Sequence, residues 1–464
     1  MNQKFDAIVI GTGQSGPALA VRLAHAGHKT AIIERKLFGG TCVNVGCIPT
    51  KTLIASARVA HVARHAADHG VMIDGGIKVD MAKVKARKDA VVRQSNEGVA
   101  NWLKGTPNLN VIEGHGRFES ARTVRVNDDL LEAEKIFINV GGRATVPDIP
   151  GLADIAYLTN SNMMDIDFLP PHLLIIGGSY IGLEFAQMYR RFGSRVTVLE
   201  HGTRIVSREH ESVSTAVQDI LAKEGVAFEL NAKNMAVAAR NGGVVVSMSD
   251  GSTSRDVAGS HLLLAVGRVP NTGDLGLDKA GIKTNERGYI EVDDQLRTSV
   301  SGVWALGDAN GRGAFTHTSY NDFEIVAANL LDGESRSVND RITCYALFTD
   351  PPLARIGMNE GEAKAWMQKT GGTVLIGKMM MARVGCARER GETQGFMSVL
   401  VDAASKKILG ATLLGIEGDE AIHCLLDVMY AGAPYTVIQR AMHIHPTVSE
   451  LIPTMLGNLK PLVP

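Results

Sequence analysis

The apolar run 7–10 stops at Gly11-Thr12-Gly13-Gln14-Ser15-Gly16, and beyond it Leu19, Leu23 and Ala26 recur at the spacing of one helix face. A second apolar run, 30–33, closes on Glu34. Strand, glycine turn, helix, strand and acid in that order predict a βαβ unit. Gly11, Gly13 and Gly16 let a pyrophosphate approach the backbone at the helix N-terminus, and Glu34 can accept from a ribose hydroxyl. After Pro170-Pro171 the pattern returns: strand 173–176, turn Gly177-Gly178-Ser179-Tyr180-Ile181-Gly182, helix 183–192, strand 195–199 and the acid Glu200. Ser179 stands at the second glycine position, which weakens this fingerprint, although serine is small. Two such units imply two dinucleotides, with electron transfer between them as the economical explanation. A second unit without a ligand is the plainer alternative.

The remaining pattern fills in around these units. A charge-rich helix is predicted over 79–103, with Arg87, Lys88 and Arg93 on its solvated face. Strands are predicted at 111–113, 114–118, 123–126 and 135–140, and Pro147, Pro150 and Gly151 mark a boundary. An apolar strand at 302–306 ends in Gly307-Asp308 ahead of a helix over 319–331, where Asp308 taken alone reads as an N-cap. From Ile342 onward the pattern predicts strands 375–380, 397–401 and 408–414 and helices 417–430 and 434–441.

The chemistry concentrates in Gly39-Gly40-Thr41-Cys42-Val43-Asn44-Val45-Gly46-Cys47-Ile48-Pro49-Thr50-Lys51. On a regular helix, residues at the spacing of Cys42 and Cys47 are roughly 7.5 Å apart along the axis and point differently. A disulfide needs Cα atoms within about 7 Å. If these two bridge, the turn between them is irregular, which Gly46 permits. Pro49 suits the first turn of a following helix. Cys47 then lies near a helix N-terminus, where the dipole favours a thiolate, and Lys51 adds a cation one turn on. In a reducing compartment such a pair is more often redox-active or metal-binding than a structural clamp. A second candidate site is Met442-His443-Ile444-His445-Pro446-Thr447-Val448-Ser449-Glu450. His445 and Glu450 could act as base and orienter. Alternatively, His443 and His445 could be paired metal ligands, though no cysteine or acid nearby completes a set.

Composition narrows the class. With 464 residues there is room for about three domains. Apolar residues at 45% and charged residues at 21% are a globular balance, and 48 Lys+Arg against 49 Asp+Glu give no electrostatic reason for a nucleic-acid or membrane partner. No apolar run approaches the ~20 residues of a membrane span, and no signal peptide precedes the first strand. Five cysteines, an odd number, argue against a fully bridged secreted protein. The expected compartment is the cytoplasm.

With these pieces in order the chain resembles the flavin-dependent pyridine nucleotide–disulfide oxidoreductases. The likeness spans 11–16, 42–51, 177–184, the stretch Ala265-Val266-Gly267-Arg268-Val269-Pro270-Asn271, 305–308 and 445–450. It implies an α/β fold with two Rossmann-like dinucleotide-binding domains and a C-terminal α+β dimerisation domain. By resemblance FAD occupies 1–150 with 273–342, NAD(P)H occupies 151–272, and 343–464 forms the interface. Cys47 would face the flavin as the charge-transfer thiolate, Cys42 would attack the substrate, and Lys51 and Glu184 would pair beside the flavin. His445, oriented by Glu450, would act on the sulfur pair of the other subunit of a homodimer. Cofactor contacts implied for this chain are Gly11, Gly13, Gly16, Glu34, Thr41, Lys51, Gly116, Gly142 and Asp308 toward FAD, replacing the N-cap reading of Asp308. Gly177, Ser179, Tyr180, Ile181, Gly182, Glu200 and Gly267 complete the set, and no metal site is expected.

Glu200 favours NADH over NADPH, although Arg204 and Arg208 lie within reach of a 2′-phosphate. The cysteine stretch, together with Phe348-Thr349-Asp350-Pro351-Pro352, is most similar to mercuric reductase-like proteins. Dedicated mercuric reductases, however, carry a C-terminal cysteine pair, absent from 458–464, and usually a tyrosine where His445 stands. The expected substrate is therefore a disulfide or a small thiol-reactive oxidant such as hypothiocyanous acid. Reduction of Hg(II) or another metal ion, lipoamide chemistry, and a non-catalytic flavoprotein subunit or sensor are the alternatives. Cys344 and Cys424 read as buried small hydrophobes and Cys386 as exposed.

Overall fold

The computed structural model describes residues 2–249 and 253–463. In chain order the first part contributes β1 (Asn2–Ile10), α1 (Ser15–His25), β2 (Thr30–Glu34), α2 (Cys47–Arg64), α3 (Met81–Lys104), β3 (Leu109–Glu113), β4 (Arg117–Ser120), β5 (Thr123–Val126) and β6 (Asp129–Ile138). The sheet order is β3-β2-β1-β6-β5-β4. Ala7 of β1 lies opposite Thr30 on one side and Lys135 on the other, both in parallel register. Ala7, Ile8 and Val9 are buried on both faces of the sheet. That is why the run is continuously apolar rather than alternating.

The second part repeats the plan with β7 (His172–Ile176), α4 (Tyr180–Phe192), β8 (Arg195–Leu199), α5 (Glu211–Lys223) and β9 (Val226–Glu229). An antiparallel excursion follows, β10 (Ala236–Arg240), β11 (Gly243–Ser249) and β12 (Ser254–Gly259), before β13 (His261–Leu264) rejoins the parallel sheet in the order β9-β8-β7-β13. The chain then returns to the first sheet. β14 (Val303–Ala305) adds to β6 with Val303 opposite Ile136. α6 (Thr316–Leu331) lies against α1, where Ser15 Oγ donates to the Ser319 carbonyl at 2.6 Å. The last part is an antiparallel sheet of β15 (Cys344–Leu347), β16 (Leu353–Gly357), β17 (Val374–Met380), β18 (Phe396–Asp402), β19 (Ile408–Leu414) and β20 (Lys460–Pro461), flanked by α7 (Glu360–Thr370) and α8 (His423–Tyr430).

One apolar cluster joins all three parts, taking Leu53 and Ala57 from α2, Leu183 and Phe185 from α4, and Leu347, Leu353 and Phe396 from the antiparallel sheet. Beside it, buried Arg191 pairs with Glu224 at 2.7 Å and Asp350 at 2.5 Å, and Arg58 reaches Asp350 at 2.6 Å. Removing one partner of such a buried network costs on the order of 3–5 kcal/mol, because the other charges are left without water or counter-ion.

Three expectations from the sequence are corrected. Lys88 is buried rather than on a solvated face, because it falls on the stripe of Met81 and Val84; its Nζ donates to the Met164 carbonyl at 2.7 Å and pairs with Asp89. The helix expected over 417–430 is two pieces, Gly418–Ala421 and His423–Tyr430, meeting at buried Ile422. Only Thr436–Gln439 is helical within 434–441.

Candidate active site

The two glycine turns are built alike. At Gly11 (φ +105) a Cβ would stand 2.3 Å from the Asn139 carbonyl oxygen, and at Gly16 2.1 Å from that of Gly11. At Gly177 (φ +114) it would stand 2.4 Å from the Ala265 oxygen, and at Gly182 2.0 Å from that of Gly177. Contacts under 3 Å to backbone leave glycine as the only residue that fits. Glu34 Oε2 accepts from Thr12 N at 3.0 Å and Thr12 Oγ1 at 2.5 Å; Glu200 Oε2 accepts from Gly178 N at 2.7 Å. Each acid therefore sits at the rim of its own turn. Neither α1 nor α4 has a side-chain cap or an acid in its first turn. Apart from Gly16, whose N–H donates to the Gly13 carbonyl at 3.0 Å, and Pro17, which has none, their leading N–H groups are open to an anion, which fits a pyrophosphate at both places. Ser179 and Ile181 are exposed at the second turn, and Tyr180 is half-buried at the head of α4.

Cys42 lies on the short helix Gly40–Asn44 and Cys47 opens α2, with Val45 and Gly46 between them. A Cβ on Gly46 would meet the Thr41 carbonyl oxygen at 2.7 Å, and Asn44 Nδ2 locks the irregular turn by donating to the carbonyls of Phe38 (2.9 Å) and Gly40 (2.8 Å). The two cysteines are not bridged to each other. The two are unequal. A hydrogen bond from Cys42, followed by one from the Thr316 hydroxyl at 3.1 Å and the Lys51 charge, outweighs burial and holds Cys47 down at about 6. The same Cys42–Cys47 hydrogen bond, then burial, pushes the Cys42 thiol far up. Lys51 Nζ donates to Glu184 Oε2 at 2.8 Å and lies 4.5 Å from the centroid of the Phe348 ring, whose residue donates its backbone N–H to Glu184 Oε1 at 3.0 Å.

Arg268 gathers three of the predicted flavin contacts. Its guanidinium donates to the Gly142 carbonyl, to Asp308 Oδ2 at 3.3 Å and to Thr41 Oγ1 at 3.5 Å. Asp308 caps nothing; it lies in the single turn Gly307–Asn310. Buried Asp322 accepts the Gly307 N–H instead, at 2.7 Å. Gly13 is held by Asn139 Nδ2, which donates to its carbonyl at 3.1 Å. Gly116 packs beside Ile33 and Ile10 near the ends of β2 and β1, and Gly267 (φ +117) precedes Arg268. Thr316, Arg268, Asn139 and Phe348 were not singled out from the sequence. Arg268 and Phe348 lay inside stretches noted only for their likeness, and nothing local marks Thr316 or Asn139.

His445 Nδ1 donates to Glu450 Oε2 at 2.8 Å. The imidazole is 78% exposed and the carboxylate 13%. Among the described residues it is hydrogen-bonded to no other predicted site residue. His443 turns to the Ala441 carbonyl at 3.1 Å, and no group of three or more His, Cys, Asp or Glu among the described residues is placed to hold a metal ion. Cys386 is buried, contrary to expectation, in the apolar cluster with Val384 and Ala387; Cys344 and Cys424 are half-buried.

Residues 5–322 match the family described as pyridine nucleotide-disulphide oxidoreductase, and 343–456 match its dimerisation domain. The chain is 36% identical to the probable pyridine nucleotide-disulfide oxidoreductase RclA of Escherichia coli (strain K12), over 98% of this chain and 100% of that one. It is 32% identical to a dihydrolipoyl dehydrogenase of Geobacillus stearothermophilus (96% and 94% covered) and 30% identical to a mercuric reductase of Streptomyces lividans (97% and 94%). A solved Cu(II) complex of the HOCl-induced flavoprotein disulfide reductase RclA from Escherichia coli superposes with a TM-score of 0.89 at 35% identity, over 97% of this chain and 99% of that one.

Proposed function

The chain belongs to the pyridine nucleotide-disulphide oxidoreductases, and from that premise we propose that Cys42 and Cys47 reduce a disulfide or a small thiol-reactive oxidant. It is an NAD(P)H-dependent flavin disulfide oxidoreductase. Residues 1–150 with 273–342 would hold FAD and 151–272 the nicotinamide nucleotide, with 343–464 as the subunit interface. Bound FAD supplies the two-electron relay between NAD(P)H and the sulfur pair; the remaining chemistry falls to side chains.

The inequality of the two sulfurs carries this reading. Cys47 is the thiolate, and Cys42 keeps its proton until a base removes it. His445 suits that task, since Glu450 holds Nδ1–H and leaves Nε2 free. Its exposure suits service at the sulfur pair of a second subunit. As His445 takes the proton, Cys42 Sγ attacks one substrate sulfur. The substrate S–S bond breaks, a mixed disulfide forms, and the first thiol leaves with the proton from His445. The Cys47 thiolate then attacks Cys42 Sγ and expels the second thiolate, leaving Cys42–Cys47 oxidised and the substrate reduced by two electrons.

A rapid-kinetics comparison with Cys42→Ser tests the scheme. NADH should still bleach the flavin absorbance, while turnover of lipoamide, glutathione disulfide and hypothiocyanous acid should vanish; unmutated turnover would overturn it. A metal-ion substrate is the second reading, favoured by the Cu(II) complex of the RclA structure. Turnover confined to Hg(II) or Cu(II) in the same panel would transfer the assignment to it. For the nucleotide, Glu200 at the rim of the second turn supports NADH, and kcat/KM for NADH and NADPH decides. Among the described residues no helix is long and apolar enough to cross a membrane. A working dithiol suits the reducing cytoplasm.

A further inference from the structure

Behind the second glycine turn lies a polar network that the proposed mechanism does not use. Glu209, 2% exposed, accepts the Tyr180 hydroxyl at 2.7 Å and the Tyr345 hydroxyl at 2.6 Å, both on Oε1. Tyr180 heads α4 and Tyr345 lies on β15, so one carboxylate oxygen joins the nucleotide-binding turn to the antiparallel sheet. Arg355 of β16, 4% exposed, donates to the Tyr345 hydroxyl at 2.8 Å and lies 3.6 Å from Glu209 Oε2. Among the described residues Glu209 Oε2 and Arg355 Nε have no hydrogen-bond partner, and Glu209 lines a cavity of about 10 Å³ shared with Ser398 and Thr412. That is about the space one water needs, and a water there would have polar partners.

The loop that delivers Glu209 is strained. Val206 holds φ +38, a left-handed conformation that a β-branched residue rarely adopts. Its N–H donates to the Gly178 carbonyl at 2.8 Å, and its own carbonyl accepts the Glu209 N–H at 2.8 Å. The strain thus fastens Glu209 to the glycine turn itself. On the other side the Tyr345 ring stacks on Phe315 (centroids 5.5 Å, planes at 12°), and the Tyr180 ring lies 6.3 Å from Phe315. Phe315 precedes Thr316, whose hydroxyl touches Cys47. The tyrosine pair therefore stands between the second glycine turn and the sulfur pocket.

We propose that Glu209 is a positioning residue for the nicotinamide nucleotide: by clamping Tyr180 to Tyr345, with Arg355 as its counter-charge, it fixes the Tyr180 ring where the nucleotide must seat. This rests on reading 177–182 as the nicotinamide site. Burying a carboxylate and an arginine together with an incomplete set of hydrogen bonds is costly, and a purely structural contact would be served by an apolar pair of similar size. Burial, reinforced by Glu209, pushes the Tyr345 hydroxyl up to about 12, so both tyrosines remain donors over any working pH.

The test uses the FAD-loaded enzyme. Glu209→Gln, Tyr180→Phe and Tyr345→Phe are compared by anaerobic stopped-flow reduction with NADH and by calorimetric titration with NAD⁺. Each should weaken nucleotide binding about three- to tenfold, the cost of loosening one or two charge-assisted hydrogen bonds, with a smaller change in the limiting rate of flavin reduction. The KM for lipoamide or another accepted oxidant should not move. Unchanged NAD⁺ affinity in both phenylalanine variants, or equal losses in binding and limiting rate that follow a lowered Tm, would overturn the proposal. Glu200→Ala is the control for the underlying reading. If it leaves NADH binding untouched, the nicotinamide site is misplaced; if it weakens binding while the clamp variants do not, only the clamp fails.

Discussion

Cys47 owes its low proton affinity to three neighbours from different parts of the chain. Cys42 and Lys51 are near in sequence, and the helix start at Cys47 with a cation one turn later made a thiolate legible from the sequence. Thr316 was not legible: it lies 269 residues away, and its hydroxyl meets the sulfur only because α6 folds back against the first sheet. The sign follows from the direction of the shift. A thiol whose pKa falls from 9.0 to about 6 is ionised across the neutral range and gains its proton only as pH drops through about 6. Alkylation of the reduced enzyme by iodoacetamide should therefore rise with pH around a midpoint near 6, and ultraviolet thiolate absorbance should follow it. Thr316→Val removes one donor and should move that midpoint upward by roughly 0.5–1 unit, at the scale of one hydrogen bond to a charged group. A midpoint that stays near 9 in the parent enzyme would remove the ground for assigning unequal roles to the two sulfurs. His445 and Glu450 were also legible as a pair, because five residues of irregular chain suffice to bring them to 2.8 Å.

Among the elements, the glycine turns were the most readable, since the first and last glycine of each answers to a backbone oxygen that a Cβ would strike. The duplication lets the two turns be separated by experiment. Gly16→Ala places a methyl 2.1 Å from the Gly11 oxygen, and Gly182→Ala places one 2.0 Å from the Gly177 oxygen. Relief needs a backbone shift, costing about 1–3 kcal/mol in overpacking besides distorting the open N–H groups of the turn. Gly16→Ala should lose flavin, read as a fall in the ratio of visible to protein absorbance. Gly182→Ala should stay yellow yet need at least about tenfold more NADH for half-maximal reduction, the equivalent of about 1.4 kcal/mol of lost binding. Other elements went unread for stated reasons. Asn241-Gly242, at φ +52 and +76, is a two-residue hairpin joining β10 to β11, a strong local signal passed over because its flanking runs are short. The burial of Lys88 shows the opposite failure: the charge was allowed to override the helical stripe, although a lysine with a carbonyl and a carboxylate to meet can lie inside.

At the scale of the whole molecule, one apolar cluster and the Arg191 network bind the three parts into a single body, and that body leaves His445 pointing outward. Met442 is 99% exposed and Ile444 80%, immediately beside it. Large apolar side chains standing free next to a paired catalytic-type histidine are expected to be covered by another surface, and the match of 343–456 to a dimerisation domain supplies a second copy as that surface. An interface between identical subunits is self-complementary, so each histidine offered is one received. The arrangement makes a numerical prediction. A Cys42→Ser dimer and a His445→Ala dimer should each be inactive toward the oxidised substrate. After subunit exchange, about half of the dimers are mixed, and each mixed dimer joins one intact sulfur pair to one intact histidine, so roughly a quarter of the parental activity should return. If His445 served its own chain, every site in the mixture would lack one group and no activity would return. Measuring oxidant turnover before and after exchange, with the mixed species counted by native mass, therefore separates a site completed across the interface from one complete within a single subunit.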